Sequence, residues 1–201
     1  MMSNDFFEHK AHIYDKDNNR VSNIENIANA VIKNVSLNSA MHLMDFGSGT
    51  GLLLERIAPF VKKITAVDIS KSMNAQLEKK RSSLSCELNI LEVDLESKDI
   101  PMKFDGIISS MTLHHVQDIG AMFVKFHAML NDDGVIAIAD LDKEDGSFHT
   151  EDTGVYHFGF GRDAIATVAK QAGFRDVEVM DASIMRRPHG AFPLFLLSAK
   201  K

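Results

Sequence analysis

The chain has 201 residues, 45% hydrophobic and 25% charged, which is enough to bury a sizeable core in one domain. Its 22 Lys and Arg against 28 Asp and Glu leave a formal charge of −6, which argues against a surface that holds nucleic acid through its phosphates. Cys86 is the single cysteine, so no intrachain disulfide or multi-cysteine metal site can form, and no segment approaches the roughly twenty apolar residues of a membrane span.

The start, Met1-Met2-Ser3-Asn4-Asp5, lacks the basic and apolar regions of a secretory signal, so a reducing, cytoplasmic setting is expected. The short basic groups Lys79-Lys80-Arg81 and Arg186-Arg187 read as solvated surface. Ser22-Asn23-Ile24-Glu25 reads as a capping box, followed by Ile24, Ile27, Ala28, Val31, Ile32 and Val35 at helical spacing. A first strand is expected over His42 to Phe46 and a helix over Gly51 to Phe60. A second strand spans Ile64 to Val67, Ser70 caps a helix toward Lys80, and Leu88 to Val93 gives a third strand. Phe104 to Ser109 reads as the fourth strand, Ile119 to Leu130 as an amphipathic helix, and Gly134 to Ala139 as an apolar fifth strand. Short β-branched runs alternating with helical segments predict an α/β fold with a parallel sheet.

From Leu141 to Gly161 the pattern lapses into a segment rich in Asp, Gly, His and Phe, longer than ordinary connections. Ile165, Val168, Ala169 and Ala172 then mark a last helix that Gly173 stops. Val177 to Val179 and Phe192 to Ala199 read as closing strands, joined by a connection containing Pro188 and Gly190 and therefore antiparallel.

Met44-Asp45-Phe46-Gly47-Ser48-Gly49-Thr50-Gly51 sits where the first strand becomes the first helix. Glycines there let a ligand approach the backbone. The spacing is D-x-G-x-G-x-G, not the G-x-G-x-x-G of a dinucleotide fingerprint, and a carboxylate ahead of the loop repels pyrophosphate but suits a ligand bearing an ammonium and a sulfonium. Asp68 ends the second strand, where a carboxylate can accept both hydroxyls of a ribose, and Asp94 ends the third, where it can receive an exocyclic amine.

Together with Val67-Asp68-Ile69-Ser70, Val93-Asp94-Leu95 and Phe104-Asp105-Gly106-Ile107-Ile108, this run resembles the class I S-adenosylmethionine-dependent methyltransferases over residues 41 to 140. Leu113-His114-His115-Val116 and Leu130-Asn131-Asp132-Asp133-Gly134 resemble the small-molecule members, including those of quinone biosynthesis. The resemblance implies a Rossmann-like, seven-stranded, mostly parallel sheet with helices on both faces and an antiparallel C-terminal hairpin. It implies one domain over 1–201, with lid helices in 1–36, a cofactor-binding core in 41–140, an acceptor-side insertion in 141–161, and the last helix and hairpin in 162–201.

It also implies S-adenosyl-L-methionine as cofactor. Gly47, Gly49 and Gly51, with Ser48 and Thr50 between them, would line its methionine part, and Asp45 would lie near its ammonium. Asp68 would hold the ribose, Ile69 and Met73 would flank the adenine, Asp94 and Leu95 would meet its edge, and Ser110 and Met111 would sit near the sulfonium. The prelude Phe6-Phe7-Glu8-His9-Lys10-Ala11-His12-Ile13-Tyr14-Asp15 resembles the family's lid, with Tyr14 closing over the site; a plain surface helix is the other reading.

A base is needed only where the acceptor must lose a proton. His114, His115, His149 and His157 are candidates by position, with His115 and His157 the expected catalytic pair; either His114 or His115 could instead cap or pack the next helix. Asp140 could bind a substrate amine or hydroxyl, or cap the loop. Asp140 and Asp142 invite a metal, as do His149, Glu151, Asp152 and His157, but the spacing is irregular and no metal is expected. Tyr156 to Gly161 could wall off an apolar acceptor or pack on the sheet edge. The absence of an Asn-Pro-Pro-Tyr-type sequence after the fourth strand and of thiol chemistry leaves a small-molecule methyl acceptor, aromatic or apolar, as the expected substrate. The alternatives are a cofactor-binding module or partner subunit without turnover, and a nicotinamide oxidoreductase, which the glycine spacing disfavours. The oligomeric state is not indicated.

Overall fold

The computed structural model describes residues 8–151 and 153–201, so Phe6, Phe7 and Asp152 lie outside the described residues. A short 3-10 turn, Ala11–Lys16, leads into α1 (Asn18–Asn34). The chain then runs β1 (His42–Phe46), α2 (Leu52–Ile57), β2 (Lys63–Asp68), α3 (Lys71–Lys80) and β3 (Glu87–Glu92). It continues through β4 (Phe104–Ser110), α4 (Ile119–Met129), β5 (Leu130–Leu141), α5 (Arg162–Gln171), β6 (Arg175–Arg187) and β7 (Gly190–Lys200).

All seven strands form one sheet in the order β3-β2-β1-β4-β5-β7-β6. The first five are parallel, and β7 runs antiparallel between β5 and β6, as the short final connection predicts. The order reverses between β1 and β4, so a crevice opens beyond their carboxyl ends, the place where open α/β sheets take ligands. Among the described residues no helix is long and apolar enough to cross a membrane.

Strand parity divides the core. Leu43, Ile108, Ala137, Leu194 and Leu196 join one apolar cluster with α1 and α2, while Met44, Ile107, Ile136, Phe195 and Leu197 join the other with α4 and α5. Both faces are covered, which is why consecutive residues are buried through 106–109 of β4, 136–141 of β5 and 194–197 of β7.

Three expectations need correction. The first helix begins at Asn18, not near Ile24, because Asp17 supplies the cap: its Oδ1 accepts from Asn19 N at 3.0 Å and Arg20 N at 3.2 Å. β5 begins at Leu130, four residues before Gly134, since the pairing with β4 continues through an irregularity between Phe104 and Gly106. β6 reaches Arg187 through what reads as a connection. It is an edge strand with a register shift between Asp181 and Ser183, and that shift breaks the alternation by which a strand is recognised.

Candidate functional site

The turn after β1 is built by backbone geometry. Gly47 N and Ser48 N donate to Val67 O, and Gly47 and Gly49 take φ +67° and +54°. A Cβ on Gly47 would lie 2.1 Å from Thr112, whereas one on Gly49 would meet nothing within 4 Å. Gly49 therefore keeps space clear for something outside the chain. Gly49→Ala is expected to keep the fold, at about 1–2 kcal/mol for left-handed backbone, but to weaken cofactor binding tenfold or more; calorimetry beside a melting curve separates the two effects.

A cavity of about 260 Å³ opens on this turn. Asp45, Gly47, Ser48, Gly49, Thr50, Ser110, Met111, Tyr14 and His115 line it, all expected from the sequence. Gly51 stands behind, its Cβ position 2.4 Å from Leu77. Asp45 is 2% exposed and its Oδ2 has no hydrogen-bond partner. Burial, and then the neighbouring Asp68 charge, push its pKa up to about 8. The Ser48 and Ser110 hydroxyls are likewise buried and unpartnered. Met111 holds φ +57° with its N–H on Ala139 O, a strained conformation at the cavity wall.

The other residues expected at the cofactor, Asp68, Ile69, Met73, Asp94 and Leu95, stand outside this lining. Asp68 binds the turn itself: Oδ2 accepts from Gly49 N and Oδ1 from Ser70 N, both at 2.8 Å. Ile69 is 57% exposed, whereas Met73 and Leu95 are 2% exposed core residues. Leu95 O accepts from Lys125 Nζ at 2.7 Å. Asp94 is exposed, two residues beyond β3, with Oδ1 accepting from Glu96 N.

The segment before α1 lies over the turn. Asp15 accepts from Thr50 Oγ1 at 2.5 Å and pairs with Lys80 at 2.6 Å. Arg20 sits 3.8 Å from the Tyr14 ring centroid and donates to Tyr14 O, and burial raises the Tyr14 pKa.

His114, His115 and His149 line the same cavity. His114 is 1% exposed, and its Nδ1 donates to Asp140 Oδ1 at 2.7 Å. A carboxylate only accepts, so the proton sits on Nδ1 and the Nε2 lone pair is left available; no described residue bonds Nε2. Asp140 also accepts from His114 N and Leu141 N. It is fully buried and committed to His114, not open to a substrate. Sequence reading named both residues without pairing them, because they come from different strand ends. The rings of His115 and His149 lie 4.3 and 5.0 Å from that of His114. Burial first, and then the neighbouring His114, lower both their pKa values to about 4, so both are neutral at physiological pH.

His157 is placed elsewhere: its Nε2 donates to Val116 O at 2.9 Å, and it is not among the residues lining the cavity. Tyr156 and Phe158 are 59% and 55% exposed, so they do not screen the cavity; Phe148, buried against Phe192, is the insertion's ring that faces it. Asp142 forms a two-pronged pair with Arg162. Among the described residues no cluster of His, Cys, Asp and Glu could hold a metal ion. Sequence reasoning did not place Asn23, Arg187 or His189 at the cavity.

Residues 19–179 match a family model described as a methyltransferase domain. The chain belongs to this methyltransferase family. An uncharacterized methyltransferase of Schizosaccharomyces pombe is 27% identical over 184 residues, covering 83% of this chain and 64% of its own length. A ubiquinone biosynthesis O-methyltransferase of Nitrobacter winogradskyi is 32% identical over 112 residues, covering 55% of this chain and 42% of its own. The methyltransferase chain thus spans less than two thirds of either relative. The crystal structure of an S-adenosylmethionine-dependent methyltransferase from Clostridium acetobutylicum superposes with TM-score 0.69 at 18% identity, over 96% of this chain and 98% of that one, which shows a shared fold.

Proposed function

We propose that the chain is an S-adenosylmethionine-dependent methyltransferase acting on a small-molecule acceptor. The observation that carries this is Asp45: a buried carboxylate whose Oδ2 has no partner, beside the unpartnered Ser48 and Ser110 hydroxyls, at a turn where a Cβ on Gly49 would meet open space. A buried polar atom without a partner is costly, and three at one cavity fit a polar, cationic ligand. Asp45 would take the cofactor's ammonium, Gly47 and Gly49 would admit its backbone contacts, and Asp68 at the neighbouring strand end would meet the ribose. Ile69, Met73, Asp94 and Leu95 would border the adenine.

When bound, the cofactor supplies an activated methyl group on a sulfonium, so the protein's contribution is alignment, exclusion of water and removal of a proton. Ser110 and Met111, at and just past the carboxyl end of β4, line the cavity with the glycine turn and the histidines and would border the reacting centre. His114 is the base this geometry favours for a hydroxyl acceptor. Asp140 fixes its tautomer and stabilises the imidazolium after Nε2 takes the proton. His115 and His149, neutral beside it, keep the acceptor end from repelling that charge.

Incubating the protein with S-adenosylmethionine and a panel of small phenols, amines and acids, and measuring S-adenosylhomocysteine formed, tests the reading. Acceptor-dependent product is expected. Cofactor binding with no product across the panel would favour the alternative of a non-catalytic binding module.

A further inference from the structure

We propose that Arg187 and Asn23 form an anion subsite in the cavity, which holds a carboxylate or phosphate group of the methyl acceptor. The word acceptor rests on the methyltransferase reading above; the anion site itself rests on the residues.

Four other arginines are matched by carboxylates: Arg20 by Asp17, Arg81 by Glu78, Arg162 by Asp142 and Asp181, and Arg175 by Asp133. Arg187 lines the cavity without any such pair among the described residues, and its Nε is buried without a hydrogen-bond partner. Its guanidinium lies over the Phe148 ring, 4.9 Å from the centroid. A guanidinium stacked on an aromatic face keeps its in-plane N–H donors for a planar or tetrahedral oxyanion, the fork geometry in which arginine binds carboxylate and phosphate.

Asn23 is the second and independent observation. It is 3% exposed, yet neither Oδ1 nor Nδ2 has a hydrogen-bond partner, and it lines the same cavity. Both residues line the cavity from elements packed on one another, α1 and β6, joined where Asn26 Nδ2 donates to Ser183 Oγ at 3.2 Å. Asn23 lies one helical turn before Asn26, and Arg187 lies four residues after Ser183 on the same strand face.

The cavity thus carries Asp45 at the glycine turn and, from β6, Arg187, whose guanidinium pairs with no carboxylate among the described residues. A cationic cofactor and an anionic acceptor would then be drawn to different residues of one cavity, which sets orientation as well as affinity. The acceptor expected from sequence was apolar or aromatic; the polar wall calls for an acid, whether or not it carries a ring.

The test is fluorine NMR titration with para-fluorobenzoate and phosphorus NMR titration with inorganic phosphate, on wild type, Arg187→Gln and Arg187→Lys, with and without S-adenosylhomocysteine. Wild type is expected to bind one anion, the Gln variant to lose about tenfold or more in affinity, and the Lys variant to retain part of it. S-adenosylhomocysteine affinity is expected to change less than twofold. Equal anion binding by wild type and the Gln variant would overturn the subsite, as would a parallel fall in S-adenosylhomocysteine affinity, which would assign Arg187 to the cofactor's own carboxylate. If wild type fails to bind S-adenosylhomocysteine, the cofactor reading falls, and the titration without it still decides the anion site. Melting curves and the Lys variant distinguish a lost site from a lost fold.

Discussion

His114→Gln is expected to lower kcat by about 10²–10⁴-fold on a hydroxyl acceptor, with S-adenosylhomocysteine affinity within about twofold of wild type. The reason is geometric. Nδ1 is committed to Asp140 at 2.7 Å, so only Nε2 is left to take a proton, and glutamine offers an amide that cannot take one. Asp140→Asn is the companion variant. An asparagine can present its N–H₂ to Nδ1, moving the ring proton to Nε2 and removing the lone pair from the side that reacts, so kcat falls while the acceptor KM moves little. Steady-state kinetics on both variants check this. Undiminished kcat in His114→Gln would remove the histidine from the mechanism and leave alignment alone as the source of rate.

Asp45→Asn is expected to weaken S-adenosylhomocysteine binding roughly 30- to 150-fold, about 2–3 kcal/mol. The asparagine keeps the shape and loses the charge that would meet the ammonium. The pH dependence supplies a finer signature. With its pKa pushed to about 8 by burial and by Asp68, the free carboxyl is mostly protonated at neutral pH and must release a proton when a cation binds. Affinity should therefore rise about tenfold per pH unit up to about 8 and level off above, a slope that Asp45→Asn abolishes. The sign for stability is the reverse. A pKa raised in the folded state favours folding at low pH, and that contribution is lost as pH rises through about 8, so ligand-free protein should melt lower at alkaline pH.

The parallel half of the fold was legible because its strands are apolar runs bounded by turn chemistry: His42–Phe46 matches its expected limits, and Ser70 caps α3 through Met73 N. The glycine turn was legible because its spacing departs from the dinucleotide pattern. What was hidden has physical causes. Arg186 and Arg187 read as solvated surface because they are adjacent in sequence. In a strand adjacent side chains point to opposite faces, and only Arg186 is exposed. Asn23 reads as part of a capping box, and with Asp17 as the cap it is instead an interior position of α1 lining the cavity. Phe148 and His149 belong to an insertion with no periodicity to orient them. His157 looks equivalent to His115 in sequence, but a single bond to Val116 O turns it away.

The cavity at the glycine turn is proposed to take an adenosylated, cationic ligand. Isothermal titration of the wild-type chain with S-adenosylhomocysteine, and in parallel with NAD, tests it most directly. A saturable, one-to-one heat with S-adenosylhomocysteine and none with NAD is predicted. Saturable NAD binding with no response to S-adenosylhomocysteine would contradict it.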